Sequence, residues 1–390
     1  MRWLAPLLLL LAAVGLAGCY EHHLLARAHV TTTDAGPRDA APRIDAPPPP
    51  PPVICADHRR LVGPETGRAG DECACGAAWP HHPGPFVVVG DFAYRHGVDL
   101  EVIDVSTPRE PMLVGHMEGD SRATAIVATA GALVLAGAAV HVYDLGDPLR
   151  PRSLGSLPGV SGATAAVASG SLVFVASTTG ADRAGVGVVT VRAFDLADPA
   201  APVALGVIEL DDHHYVREME IGGEALWLSL TTWHDAEPLF TTDLVVIDVR
   251  EPRALAVASL TPLGDPMERS DISAMSAADG VVSLFDYSDL GRARLFETAE
   301  PRAPRLVAEL TRYTSGVFMI GDHLAVGSGF FSPVPTERTH DIVLYDVSDP
   351  TVPVEAGHTP YRENWGHATV VGNALLVSGA RALVAFPLCD

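Results

Sequence analysis

One phrase returns six times along this chain and constrains its fold more than any other feature of the sequence. Each copy is an apolar run that ends at an acidic residue, passes through a proline turn and becomes apolar again, as in DIVLYDVSDPTVPVEAG at residues 341–357. A fixed phrase that recurs every 40 to 53 residues is typical of a repeat protein. The aligned acidic residues are Asp104, Asp144, Asp195, Asp248, Glu297 and Asp346.

Each copy of the phrase predicts a strand, a turn and a second strand. The first run is apolar at nearly every position, as in a strand that is buried on both faces. The proline that follows stops the strand, because proline cannot donate a hydrogen bond to a neighbouring strand. The acidic residue before most of these prolines can accept hydrogen bonds from the N–H groups of the turn. We therefore expect the acidic residues of the phrase to be structural rather than catalytic.

A second phrase, built around a glycine turn, precedes each acidic phrase and predicts a hairpin. Hairpin and acidic phrase together make a four-stranded antiparallel unit, which cannot bury both of its faces alone. Such units stack radially, so the predicted fold class is all-β, a seven-bladed β-propeller of four-stranded antiparallel blades. A β-sandwich is the structural alternative, but it does not explain the period. The turn glycines are Gly90, Gly131, Gly170, Gly223, Gly280, Gly321 and Gly372.

Four copies carry a strong family resemblance, those at Asp104, Asp144, Asp195 and Asp346. The stretches VIDVSTPREPMLVG (102–115) and LYDVSDPTVPVEAG (344–357) resemble the LVIVD repeat of bacterial and archaeal surface proteins. The resemblance covers about residues 85–390, and it is weaker where Glu297 replaces the aspartate and where Leu255 replaces the second proline. It implies a propeller, and it brings no agreed activity and no catalytic residues.

The last blade lacks a fourth strand, because the glycine phrase occurs seven times and the acidic phrase only six times. The segment CADHRRLVG, residues 55–63, ends like the outer strand of the first phrase and can supply the missing strand. We therefore predict that the last blade is closed by an N-terminal outer strand, with Cys55 and Cys389 joined in a disulfide. An oxidising compartment permits such a bond.

Cys73 and Cys75 leave two interpretations open. They pair with each other, or they exchange partners with the first cysteine pair. A metal site is the weaker alternative, since no further ligand pair at zinc spacing is nearby, although His81 and His82 are close in sequence.

Residues 1–18 predict a secretory signal peptide, too short and too soon followed by polar sequence to span a bilayer. The end of this segment, Leu16-Ala17-Gly18-Cys19, resembles the lipobox of bacterial lipoproteins. The resemblance implies cleavage before Cys19 and lipidation of its thiol, which anchors the chain to the membrane. An ordinary cleaved signal with an unrelated cysteine is the alternative. Tyr20 rather than an aspartate follows, so the predicted location is the bacterial cell envelope, in the outer membrane.

Residues 19–53 predict a disordered, proline-rich tether between the acylated cysteine and a propeller domain at 54–390. The tether ends in six prolines, Pro47 to Pro52, which adopt extended polyproline II and cannot join a core. We expect a spacer, with a proline-motif ligand as the alternative.

Charge and motif content exclude several functions. A formal charge of −22 disfavours nucleic acid as a partner. All 26 basic residues are arginine, which rules out a lysine Schiff base. The chain contains no G-x-S-x-G elbow, no phosphate-binding loop of the Walker type and no dinucleotide fingerprint after a strand.

One end of the predicted ring carries insertions, at 177–189, 231–243 and 328–341. Variable connections on a rigid scaffold are where binding usually occurs. Polar and aromatic residues that enter the first strands should reach the same end, near the axis. The candidate binding residues are His213, His214, Trp233, His234, Asp271, Tyr313, Trp365 and His367.

These observations favour a lipid-anchored, monomeric scaffold that binds a protein, peptide or glycan through its loop-rich face, without a cofactor. The alternative is an envelope enzyme, with a divalent metal at the channel mouth held by His213, His214 and His367. The histidine spacing fits no known metal motif, and solvated loop histidines are the favoured explanation of it. A purely structural envelope protein is the third hypothesis.

Overall fold

The structure is a computed structural model in which the described residues form strands and turns and no α-helix. Among the described residues, no helix has the length and hydropathy that crossing a bilayer requires. The described residues are 30–32, 53–54, 59–60, 85–96, 99–108, 110–117, 123–179, 187–210, 215–234, 239–263, 272–278, 280–286, 292–298, 303–311, 314–329, 340–361, 365–372, 374–379 and 383–389.

Three short strands precede the blades: β1 (Val30–Thr32), β2 (Val53–Ile54) and β3 (Arg59–Arg60). Six antiparallel sheets of four consecutive strands and a seventh of three consecutive strands follow, each with its first strand nearest the axis of the ring. The strands of blades 1 to 3 are β4 (Phe86–Val89), β5 (Phe92–His96), β6 (Leu100–Asp104), β7 (Met112–Met117); β8 (Ala125–Ala128), β9 (Ala132–Ala136), β10 (Val140–Asp144), β11 (Arg152–Ser156); β12 (Ala163–Ser169), β13 (Leu172–Thr179), β14 (Val188–Asp195), β15 (Val203–Leu210).

Blades 4 to 7 repeat this order. Their strands are β16 (Tyr215–Gly222), β17 (Ala225–His234), β18 (Leu239–Asp248), β19 (Ala256–Pro262); β20 (Ile272–Ala278), β21 (Val281–Asp286), β22 (Arg292–Glu297), β23 (Arg305–Thr311); β24 (Thr314–Ile320), β25 (His323–Gly329), β26 (His340–Asp346), β27 (Val354–Tyr361); β28 (Trp365–Val371), β29 (Ala374–Gly379), β30 (Leu383–Cys389).

A hydrophobic cluster lies at each of the seven boundaries between neighbouring blades. The cluster between the last and first blades joins Ile103 and Val105 to Leu376 and Ala385, so the ring is closed. The seven-bladed, all-β propeller predicted from the phrase period is therefore confirmed.

Blade 7 receives its outer strand from the N-terminal segment. Strands β2 and β3 pair antiparallel with β30, with Val53 opposite Cys389 and Arg59 opposite Ala385. This confirms the predicted N-terminal closing strand. Cys55 lies outside the described residues, so its disulfide with Cys389 stays a prediction.

The acidic residues of the repeated phrase hold the turns. The Asp104 carboxylate accepts a hydrogen bond from the N–H of Ser106 at 2.9 Å, and the same bond recurs at Asp144, Asp195, Asp248 and Asp346. The aspartates before proline accept from the turn in the same way, at Asp147, Asp198 and Asp349. The predicted structural role of these acidic residues is confirmed.

A β-bulge interrupts the pairing of the third and fourth strands in each of blades 1 to 6. Glycines at this position let the turn of the next blade approach the strand. A Cβ on Gly115 would lie 3.3 Å from the carbonyl oxygen of Leu149, and a Cβ on Gly206 would collide with the carbonyl oxygen of Pro252. At Gly115 and Gly206, the glycine that ends the phrase thus belongs to the contact between blades.

We predict that Gly206→Ala lowers the free energy of unfolding by about 1–3 kcal/mol, because the added methyl group overpacks the contact with Pro252. Gly357→Ala is the matched control, since Gly357 occupies the same position in blade 6 and a Cβ there has nothing within 4 Å. Denaturant unfolding of the two variants measures the difference. Equal stability of the two variants would contradict this account of the glycine.

One buried arginine links blade 4 to blade 5. The Arg294 side chain is only 9% exposed and lies 3.0 Å from the Glu309 carboxylate in the adjacent outer strand. Its guanidinium also donates a hydrogen bond to the carbonyl oxygen of Leu263, at the end of blade 4. A cation buried in this way is stable only with its partners in place.

Arg294→Met should therefore destabilise the protein by about 2–4 kcal/mol, because both acceptors lose their partner in a poorly hydrated site. The control is Arg305→Met, which removes an exposed ion pair to Glu297 in the same blade and should cost less than about 1 kcal/mol. Unfolding curves of both variants test the ranking, and a reversed order would refute it.

Candidate functional site

The two ends of the ring differ in regularity. The glycine and proline turns form one end, called the turn face here, and they keep the same hydrogen bonds from blade to blade. The opposite end, the loop face, carries the connections between the second and third strands. These strands have five residues each in blade 1 and ten each in blade 4. The variation between blades is thus concentrated on the loop face.

Blade 4 projects a long hairpin at the loop face. Strands β17 and β18 pair to their ends, with Trp233 opposite Phe240 and His234 opposite Leu239. The insertion predicted at 231–243 suggests a long loop around Trp233 and His234, and this expectation is wrong, because both residues belong to strand β17. Thr231, Thr232 and Trp233 are β-branched or aromatic. Because such residues favour strands, the pairing of β17 with β18 continues through them.

The base of this hairpin is buried. Thr231 is 0% exposed and Thr242, its partner across the ladder, is 1% exposed. The projecting part therefore continues a packed sheet, and the blade core fixes its direction.

Most of the other predicted residues lie outside the described residues, namely Cys19, Cys55, His213, His214, Asp271 and Tyr313. Trp365 and His367 do fall at the start of an innermost strand, as expected. Trp365 pairs with Gly379 and His367 pairs with Ser378, and a bulge separates the two pairs.

The same bulge occurs in the innermost strands of blades 3 to 7 and aligns them. The position directly after it holds Glu218 in blade 4 and His367 in blade 7. In blades 3, 5 and 6 it holds Ala165, Ala274 and Gly316. Among these five aligned strands, the ionisable residues at this position thus belong to blades 4 and 7.

Glu218 and Glu220 lie on one face of β16, two residues apart. Burial raises the pKa of Glu218 to about 8, with a further rise from the neighbouring Glu220 carboxylate and an opposing effect of Arg217. Burial also raises the pKa of Glu220 to about 8, against the effect of the Ile221 backbone hydrogen bond. Both carboxyls are therefore largely protonated at neutral pH.

The pKa of His367 falls to about 4, because the surrounding protein desolvates the imidazolium. Its side chain is nevertheless exposed by surface area. Surface that opens towards the axis of a ring is still enclosed by protein, so both observations fit a position inside the mouth of the ring. At pH 7, His367, Glu218 and Glu220 together contribute little net charge.

Sequence reasoning missed the two glutamates. The available signal was the alternation in VREMEI (216–221), which places two acidic residues on one face of a strand that precedes a glycine turn.

The metal hypothesis receives no support from the part of the chain that the structure describes. There, no group of three or more histidine, cysteine, aspartate or glutamate side chains is placed to hold an ion. His213 and His214 lie outside that part, so a divalent metal at the channel mouth stays a prediction.

We predict that the Glu218→Gln/Glu220→Gln variant is more stable than the wild type at pH 9, by a few degrees in Tm, and equal to it near pH 4.5. A carboxyl whose pKa is higher in the folded state binds protons preferentially there, so wild-type stability falls as the pH rises from about 4.5 to 8. The amides cannot ionise, which removes this loss.

Thermal unfolding from pH 4.5 to 9 measures the effect. Glu251→Gln, at an exposed turn of the same blade, is the control and should keep the wild-type pH dependence. Parallel curves for wild type and the double variant would disprove the assignment.

Comparison with known proteins supports the repeat. Residues 86–118 match the LVIVD repeat family model. No curated protein matches the sequence. The designed Ika8 protein is 13% identical with a TM-score of 0.50, covering 79% of this chain and 98% of its own. Sqt1 of Saccharomyces cerevisiae is 12% identical, with a TM-score of 0.48 and coverage of 80% and 95%.

A chain of the mitotic checkpoint complex is 11% identical with a TM-score of 0.55, covering 90% of this chain and 100% of its own. At such identities the likeness shows the fold alone. The matched residues 86–118 coincide with blade 1, from Phe86 in β4 to just beyond β7. The LVIVD repeat is therefore one blade of this protein, which is a seven-bladed β-propeller that carries the LVIVD repeat.

Proposed function

We propose that this protein is a lipid-anchored scaffold of the bacterial cell envelope that binds a protein, peptide or glycan through its loop face. The observation that carries the proposal is the asymmetry between the two ends of the ring. The turn face repeats the same bonds in successive blades, whereas strand pairs of five to ten residues build the loop face.

The blade 4 hairpin is the contact element we assign. A hairpin that continues a buried sheet loses little conformational entropy on binding, and such preorganisation favours affinity. Trp233 and Phe240 face each other in the register near its tip. Aromatic residues on a preorganised element are typical of binding hot spots.

The anchor in this proposal is an acylated Cys19 in the outer membrane, which rests on the lipobox resemblance of residues 16–19. The proposed disulfide Cys55–Cys389 would secure the closing strand, since Cys389 pairs with Val53, two residues before Cys55. Closing a loop of more than 300 residues is worth at most about 5 kcal/mol in the chain-entropy model.

Trimming the hairpin tests the binding face. Residues 232–241 are replaced by Asn-Gly, which joins the paired Thr231 and Thr242 through a two-residue turn and leaves the buried sheet intact. We expect at least a tenfold loss of cross-linked partner from envelope extract, measured by quantitative mass spectrometry.

Leu149→Ser, at an exposed position of the turn face, is the control and should retain the partner. An unchanged partner set in the trimmed variant would remove the hairpin from the proposed function.

A Cys19→Ser variant found in the soluble fraction, with the wild type in the membrane fraction, would support the anchor, and equal distribution would refute it.

A further inference from the structure

A short strand from the N-terminal segment lies on the outer edge of blade 5. Strand β1 pairs antiparallel with β23, with Val30 opposite Leu310, Thr31 opposite Glu309 and Thr32 opposite Ala308. Blade 5 is therefore a five-stranded sheet. In the described part of the chain, the outer strands of blades 1, 2, 3, 4 and 6 pair with no additional strand.

The outer strand of blade 5 is more buried than the outer strand of blade 1. Val307, Ala308 and Leu310 are 2%, 1% and 3% exposed. Val114, which stands at the position of Val307 in blade 1, is 40% exposed. The outer strand of blade 5 is thus a covered strand.

The sequence of the N-terminal segment provides a suitable occupant. Val30 is followed by three threonines, and this β-branched run stands in a segment otherwise dominated by alanine, proline, aspartate and arginine. β-branched residues favour strands, and an unpaired sheet edge is a template for strand addition. The register places Thr31 opposite Glu309, whose carboxylate is held by Arg294.

Chain length allows one molecule to make both N-terminal contacts. The 20 residues between β1 and β2 can span about 60 Å in polyproline II geometry. A compact domain of this size has a radius of about 25 Å, so outer edges two blades apart are separated by roughly 40 Å. Residues 30–32 can therefore reach blade 5 while residues 53–60 close blade 7.

We propose that the outer edge of blade 5 is a strand-acceptor site for Val30–Thr32 of the same chain, and that its occupancy sets the distance between propeller and membrane. The second clause rests on the proposed anchor at Cys19. From Cys19 to a docked Val30 the chain spans at most about 40 Å, whereas from Cys19 to Val53 it reaches about 120 Å. Docking of β1 shortens the maximal distance between Cys19 and the propeller about threefold. It also turns the outer edge of blade 5 towards the anchor.

This orientation leaves both ends of the ring accessible. The loop face and the turn face then lie to the sides of the line from the anchor to blade 5, so the blade 4 hairpin does not point at the bilayer. The anchored protein can accordingly bind its partner while it is held close to the membrane.

Hydrogen exchange of the full chain tests the acceptor site. Thr31→Pro removes one N–H and disrupts β1, and Ala40→Pro is the matched control outside the strand. We expect amides in the peptide that covers 306–311 to exchange at least tenfold faster in Thr31→Pro than in the control. The peptide that covers 256–262, in the unaugmented outer strand of blade 4, should not change.

Addition of a synthetic peptide with the sequence of residues 27–35 should restore the protection of 306–311 in Thr31→Pro. Equal exchange in the two proline variants would overturn the proposal. Protection that depends on protein concentration, with a dimer in light scattering, would also overturn it, because the strand would then come from a second copy.

The exchange experiment is independent of the anchor. If Cys19 carries no acyl chain by intact mass, the proposed function and the membrane distance fail, while faster exchange in Thr31→Pro still supports the acceptor site. If Cys19 is acylated and the exchange rates are equal, the anchor stands and the acceptor site fails.

Discussion

Burial of both faces of every blade is the constraint on which this structure depends. In β17, Ala225 and Trp227 pack towards blade 5, whereas Leu226 and Leu228 pack towards blade 3. The alternation follows from the two-residue period of a strand. A single blade would leave both apolar faces in water, so the blades are stable only as members of a closed ring.

The same constraint explains what could be predicted from the sequence. A middle strand buried on both faces must be apolar at consecutive positions, and the turn beside it must satisfy its own N–H groups. Both requirements produce a recognisable sequence pattern. The pattern is still recognisable in blade 5, where Glu297 replaces the aspartate. The closing strand was predictable because blade 7 had one vacant position and Arg59-Arg60 lies close to a matching LVG end.

Features that serve a single blade were not predictable in this way. The Thr231–Phe240 region follows no repeat, so its length suggested a loop, although its residues favour a strand. Val30–Thr32 is too short to stand out beside a proline run, and only a free edge elsewhere in the fold gives it a partner. Glu218 and Glu220 break the apolar pattern of an innermost strand, and their significance appears only when the strands are aligned around the axis.

The N-terminal segment meets the ring twice, and the order of the two contacts matters for an anchored molecule. Load from an anchor at Cys19 would reach β1 before it reaches β2 and β3, the described strands that complete blade 7. Without β1 on blade 5, the load would act on Val53 and peel the closing strand from β30. With β1 docked, it acts on β23, whose Val307 and Leu310 are buried and whose Glu309 is paired with Arg294. In a molecule anchored at Cys19, strand addition on blade 5 would therefore protect the closure on which the stability of every other blade depends.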